Sequence, residues 1–142
     1  MGARNRIAIA ASHAAVMTDN RTPARVFELG TACAVAAGRD LTKEGTPGRE
    51  AFFVLEGTAR VTAEGHVVAH IGPGDFVGEF ALIDAGPRSA TVTAESPMRV
   101  LAFDAPAFAS LLDDPQANRT ILRVLVARLR SSIDTTNRRN EQ

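Results

Sequence analysis

Between Phe76 and Val92 the chain reads Phe-Val-Gly-Glu-Phe-Ala-Leu-Ile-Asp-Ala-Gly-Pro-Arg-Ser-Ala-Thr-Val. Residue types in this stretch can bind a small anion. Gly78 lets the backbone turn sharply or approach a ligand closely. Glu79–Asp84 has the length of about one and a half helical turns. The first amide N–H groups of such a helix have no partner inside it and can meet an anion. Arg88 follows, preceded by Pro87, whose ring fixes its own φ and biases Gly86 toward extended geometry. Arginine carries a permanent charge on a planar fork of donors, which suits a phosphate. Glu79 makes little sense beside a phosphate unless it accepts from hydroxyl groups such as those of a sugar. Amides, one arginine and one hydroxyl-accepting carboxylate together describe a nucleotide site. A single arginine matches a ligand with about one negative charge better than a triphosphate. Spacing alone is equally consistent with a structural Arg88–Glu79 ion pair between a turn and a helix start.

Other chemistries lack their residues. No Gly-x-x-x-x-Gly-Lys-Ser/Thr stretch occurs, and Lys43 is the only lysine. Cys33 is the only cysteine, which excludes an intramolecular disulfide and a cysteine-based zinc site. A reducing, cytoplasmic setting is the expectation. His13, His66 and His70 are scattered. His66 and His70 would share a helix face, but their Val/Ile/Gly-rich segment has strand character, so no metal site is expected. No Ser/His/Asp or Cys/His set is available, so no enzyme is expected. No run approaches the apolar length of a membrane span.

The surrounding elements must hold this segment in place. Pro23 opens a short helical turn with Val26, Phe27 and Leu29, closed by Gly30. Short extended pieces follow at Ala32–Ala37, Leu41–Glu44, Phe52–Leu55, Thr58–Ala63, Val67–Ile71, Ala90–Ala94 and Arg99–Phe103. Turn signals separate them: Gly38-Arg39-Asp40, Gly45-Thr46-Pro47-Gly48, a hairpin tip at Glu56-Gly57, Glu64-Gly65 and Gly72-Pro73-Gly74-Asp75. The spacing is too tight for crossover helices, which excludes a parallel α/β sheet. The expected class is mainly β with flanking helices: an antiparallel β-roll, jelly-roll-like and barrel-forming, with a short helix after Gly78 and two C-terminal helices. Asp104 caps the first of these, with Pro106 in its first turn. Asp114 caps the second, which runs from Pro115 to about Ile133. Ile121, Leu122, Leu125, Val126, Leu129 and Ile133 give that helix a broad apolar stripe.

The chain has 142 residues, 45% hydrophobic and 23% charged, which fits one domain with short appendages. Residues 1–22 are expected as a flexible or helical extension, 23–134 as the domain and 135–142 as a disordered tail. Arg4 and Arg6 before Ile7–Met17 imitate a secretory signal only faintly, because the stretch is Ala-rich and broken by His13. Met17 offers an alternative start. The formal net charge is +0. It divides into +3 over residues 1–25, −7 over 26–117 and +4 over 118–142. A neutral chain with an acidic body is a poor partner for a polyanion.

Gly78-Glu79-Phe80-Ala81-Leu82-Ile83, four residues, then Arg88-Ser89-Ala90-Thr91-Val92 resembles the phosphate-binding cassette of cyclic-nucleotide-binding domains, of the catabolite activator and cAMP-dependent kinase regulatory-subunit type. The likeness extends to Gly38…Leu41…Glu44-Gly45, to Phe52–Gly57, to Gly72–Phe76 and to the paired closing helices, so it covers roughly Ala24–Arg130. It implies that Glu79 accepts from the ribose 2′-hydroxyl and that Arg88 pairs with the exocyclic phosphate oxygens. It implies backbone roles for Gly78 and Ala81, with Phe80 and Leu82 in the same cassette, and N–H donation from Ser89 and Ala90. Ser89 does not settle the base. Val61 and Val77 are candidate base contacts on the roll, and Arg128 is a candidate lid residue, with a solvated helix flank as its alternative. The implied ligand is cAMP or cGMP, cAMP favoured, with no further cofactor. The implied output is a signal through the closing helices to a partner protein or a second subunit. No DNA-reading module is expected after the last helix and no apolar run is long enough for a span, so neither nucleic acid nor membrane is an expected partner. The alternative is a protein-interaction module on the same fold that does not use nucleotide.

Overall fold

The computed structural model describes residues 5–6, 22–78, 88 and 90–140. The strands are β1 (Asn5–Arg6), β2 (Thr31–Val35), β3 (Asp40–Thr42), β4 (Glu50–Glu56), β5 (Ala59–Ala63), β6 (His66–Ile71), β7 (Phe76–Val77), β8 (Thr91–Ala94) and β9 (Met98–Asp104). The helices are α1 (Ala24–Leu29), α2 (Ala105–Asp113) and α3 (Pro115–Asn140). The strands form a five-stranded sheet in the order β1-β2-β9-β4-β7 and a four-stranded sheet in the order β3-β8-β5-β6. Every pairing is antiparallel. The two sheets make the expected antiparallel roll, which stays open instead of closing into a barrel because each sheet keeps its own edge strands.

Two apolar clusters hold this arrangement. One draws on both sheets and lies between them: Val35, Leu41, Phe52, Val54, Val77, Val92, Val100 and their neighbours. The other joins the outer face of the five-stranded sheet to the helices through Val26, Phe53, Phe76, Phe103, Phe108, Leu111 and Ile121. Strands β4 and β9 serve both. Phe52 and Val54 face the sheet-to-sheet cluster, while Ala51, Phe53 and Leu55 face the helices. Their unbroken apolar sequence follows from burial on both faces, with the side-chain period of two still intact. The Phe76 ring lies 4.9 Å from that of Phe53 and 6.2 Å from that of Phe103, both tilted.

Four expectations need correction. Glu56-Gly57 is not a hairpin tip: β4 and β5 lie in different sheets, and this corner carries the chain between them. Gly57 sits at φ +93°, with no room for a Cβ against the Pro97 carbonyl. Next to it the Thr58 amide donates to Ser96 Oγ at 3.0 Å and the Thr58 carbonyl accepts from the Glu95 amide at 2.9 Å. Within the expected N-terminal extension, Asn5 and Arg6 are an edge strand, paired with Ala34 and Cys33. Phe76–Val77 is a strand as well, paired with Phe53 and Phe52. Helix α3 does not stop near Ile133 but continues to Asn140, through the expected tail. No Gly or Pro interrupts that segment, and extending an existing helix is far easier than starting one. The expected helix at Glu79–Asp84 lies outside the described residues.

Both helix caps hold. Asp104 Oδ1 accepts from the Ala107 amide at 2.9 Å, and Asp114 Oδ2 from the Ala117 amide at 2.9 Å. Glu64 and Gly65 have φ of 52° and 81°, the left-handed pair that a two-residue hairpin turn needs between β5 and β6. Phe103 is fully buried in the cluster under the helices. Phe103→Ala is expected to lower unfolding free energy by about 3–5 kcal/mol, read as a lower urea midpoint at unchanged slope.

Candidate functional site

The site is built around the end of β7. Asp75 Oδ2 accepts from the Gly72 amide at 2.9 Å and closes the Gly72–Asp75 turn. That turn is tied to β4 in both directions: the Gly74 amide donates to the Val54 carbonyl and the Val54 amide to the Asp75 carbonyl, each at 2.9 Å. Register then follows, with Val77 opposite Phe52. Gly78 therefore emerges beside the start of β4, at φ +84°.

Arg88 reaches the same point from the other sheet. Its amide donates to the Thr46 carbonyl at 2.8 Å, and its carbonyl accepts from the Gly45 amide at 2.9 Å. The chain just after it is held too: Thr42 Oγ1 donates to the Ala90 carbonyl at 3.0 Å, and the Glu44 amide donates to Thr91 Oγ1 at 2.9 Å. With its backbone fixed, the side chain crosses between the sheets. Nη1 donates to the Gly78 carbonyl at 3.0 Å and Nη2 to the Glu50 carbonyl at 2.6 Å. Arg88 is only 8% exposed. Burying an arginine is costly without hydrogen bonds, and these carbonyls help satisfy it while fixing the plane of the fork. A Cβ on Gly78 would overlap Arg88 Nη1 and stand 3.0 Å from the Glu50 carbonyl oxygen. Gly78 is thus required twice, for its φ and for the approach of the guanidinium.

The structure brings Gly78 and Arg88 together. Ala90, two residues after Arg88, is half-buried. Val77 is buried in the sheet-to-sheet cluster, and Val61 is partly buried and packs against the same cluster. Arg128 is half-buried, with Nη2 shielded from solvent, which is not the fully solvated flank considered as its alternative. The helix carrying it packs on the other cluster through Ala117, Ile121, Val124 and Leu125. Glu79, Phe80, Ala81, Leu82 and Ser89 lie outside the described residues. Sequence reasoning missed Glu50, Thr46 and Gly45 as supports of Arg88. They act through backbone groups, which side-chain type does not reveal; the Gly45–Gly48 turn signal was the one visible trace. Among the described residues no cluster of three His, Cys, Asp or Glu side chains could hold a metal ion. Among them no helix is long and apolar enough to cross a membrane.

Gly78→Ala is expected to cost about 1–2 kcal/mol from the left-handed φ alone, plus the displacement of Arg88. In a double-mutant cycle of thermal melts, Gly78→Ala should cost less in an Arg88→Ala background. Strict additivity would show that the two residues do not constrain each other.

The family model described as cyclic nucleotide-binding domain matches residues 33–114, which include Gly78 and Arg88. A cyclic nucleotide-gated potassium channel of Rhizobium etli is 37% identical over 95 residues, covering 66% of this chain and 26% of the channel. A CRP-like cAMP-activated global transcriptional regulator of Mycobacterium tuberculosis is 29% identical over 99 residues, covering 66% of this chain and 44% of the regulator. Both relatives are therefore much longer than the matched region. The crystal structure of a cyclic nucleotide-binding domain from Methylobacillus flagellatus superposes with a TM-score of 0.68 at 29% identity, covering 76% of this chain and 66% of that one.

Proposed function

The chain belongs to the cyclic nucleotide-binding domain family, and from that premise we propose that it binds cAMP in preference to cGMP and passes the binding event to a partner through α3. The observation that carries the reading is the buried Arg88 guanidinium, pre-aimed beside the Gly78 backbone inside the matched region. In the bound state Arg88 pairs with the exocyclic oxygens of the cyclic phosphate, Ser89 and Ala90 donate amides to it, and Glu79 accepts from the ribose 2′-hydroxyl. Phe80, Ala81 and Leu82 complete the cassette around them. The base lies on the roll against Val61 and Val77, with Arg128 closing over it. The preference for cAMP is supported by the cAMP-activated regulator among the relatives.

Magnitudes favour a shared load. Micromolar binding needs about −8 kcal/mol, and a charge-assisted hydrogen bond contributes roughly 1.5–3 kcal/mol. Arg88 alone falls short, so burial of the base must supply much of the remainder. The ligand also competes with the Gly78 carbonyl for Arg88. Shifting that bond changes how the segment after β7 sits, which is a local switch with a route to the closing helices.

Calorimetry with cAMP and cGMP tests the site. Wild type should bind cAMP more tightly, and Arg88→Ala should weaken binding roughly 10- to 150-fold. Affinity that survives the substitution would sink the Arg88 mechanism, and a wild type that binds neither nucleotide would sink the function. Transmission has its own readout. Amide hydrogen exchange along α3 should change on adding cAMP; an unaltered α3 would show that the signal does not pass through it.

A further inference from the structure

Glu44 is bonded in two places that serve different parts of the proposed site. Its amide donates to Thr91 Oγ1 at 2.9 Å, and the amide after it, of Gly45, donates to the Arg88 carbonyl at 2.9 Å. Its carboxylate is engaged elsewhere. Oε1 and Oε2 accept from the Glu64 amide at 3.1 and 3.4 Å. Glu64 opens the β5–β6 hairpin turn, and the first amide of such a turn has no acceptor within it. Glu64 also holds a φ of 52°, which residues other than glycine adopt reluctantly. A carboxylate on its amide steadies that conformation.

The sheet order gives this bond its reach. Glu44 follows β3 and Glu64 follows β5, with β8 between them. Adjacent strands lie about 4.8 Å apart, so the Glu44 side chain bridges roughly two strand spacings past the end of β8. It does so where Thr91 pairs with Thr62. Two features make the hairpin depend on such a bridge. The β5–β6 ladder shifts register between Val61 and Thr62, which interrupts its bonding just before the turn. β6 is the edge of the sheet and is exposed at every position but Ile71, so among the described residues no strand supports it from outside.

The bridge joins the two halves of the site. Val61, the candidate base contact, lies on β5 opposite Val92. Arg88, the candidate phosphate group, lies shortly before Thr91 and is pinned by the Gly45 and Thr46 main chain. We propose that Glu44 is a positioning residue for the nucleotide. Its carboxylate fixes the hairpin carrying Val61 relative to the loop that pins Arg88, and so sets the spacing between base contact and phosphate group. This rests on the cyclic-nucleotide reading of the site. Glu44 acts through Val61 and Arg88, not through a ligand contact of its own. Both the length of the side chain and an acceptor atom are needed. Glutamine keeps both, aspartate is one methylene too short, and alanine has no acceptor. All three leave the Glu44 and Gly45 amide bonds in place, because those are main-chain.

Calorimetry on the full chain with cAMP and cGMP, read for the tighter-binding nucleotide, is the test. Glu44→Ala should weaken binding roughly three- to tenfold. Glu44→Gln should stay within about twofold of wild type, and Glu44→Asp should behave like Glu44→Ala. All should keep the wild-type circular dichroism spectrum, since Glu44 is exposed. In an Arg88→Ala background Glu44→Ala should cost less than about twofold, because no phosphate group is left to position. Hydrogen exchange at the Glu64 amide should quicken in the alanine and aspartate variants. Affinity unchanged by Glu44→Ala, an equal loss with and without Arg88, an aspartate variant as good as glutamine, or unaltered exchange at Glu64 would each overturn the positioning role. Those results would leave the sensitivity to Arg88→Ala, and with it the reading of the site, intact. A wild type that binds neither nucleotide would overturn both.

Discussion

The buried guanidinium of Arg88 is the constraint on which the site depends. A charge that stays on at every relevant pH sits 8% exposed where the two sheets meet, and such a group persists only where hydrogen bonds replace water. The Gly78 and Glu50 carbonyls provide two of them, one from the end of β7 and one from the start of β4. The requirement propagates outward. Gly78 must lack a side chain, β7 must pair in register with β4, and Arg88 must be pinned at its backbone by Gly45 and Thr46. The Gly72–Asp75 turn and the Thr42 and Glu44 bonds then act as supports for one side chain.

Placing the proposed binding group this way has a functional logic. An arginine on a free loop would lose rotamer freedom on meeting a phosphate, whereas a fork already held in one plane has less to lose. The cost is a competing acceptor already in place. In the proposed function that competition is what would let a ligand alter the structure, since a ligand that left every contact unchanged would shift no equilibrium. At the other end of the chain α3 uses one face to cover the roll and leaves Leu122, Val126 and Leu129 in solvent.

Much of this was legible in the residues. The cassette segment stood out because it broke the strand rhythm, and Gly78 and Arg88 were named from type and spacing. The caps at Asp104 and Asp114 followed from short polar side chains ahead of proline. The misreadings share a cause. Glu56-Gly57 has hairpin composition, yet the chain changes sheets there, because Gly57 must pass the Pro97 carbonyl, a residue forty positions away. Two-residue strands such as β1 and β7 carry too little pattern to register as strands. The polar end of α3 resembles a tail in composition and is helical because an established helix precedes it.

The amino-acid sequence by itself determined the antiparallel β class with closing helices, the segment proposed to bind, and the type of ligand charge that segment would meet. These depend on local properties: side-chain period, turn chemistry, and the charge and donor geometry of one arginine. Tertiary structure decided that the roll is open, that Val61 and Val77 pack into one core cluster, that backbone groups of Gly45, Thr46 and Glu50 hold Arg88, and that Leu122, Val126 and Leu129 of α3 are left outside. Each of these is a pairing between residues distant in the chain, often through main-chain atoms that every residue possesses. Residue type cannot mark such partners; only the folded path of the chain brings them within reach of one another.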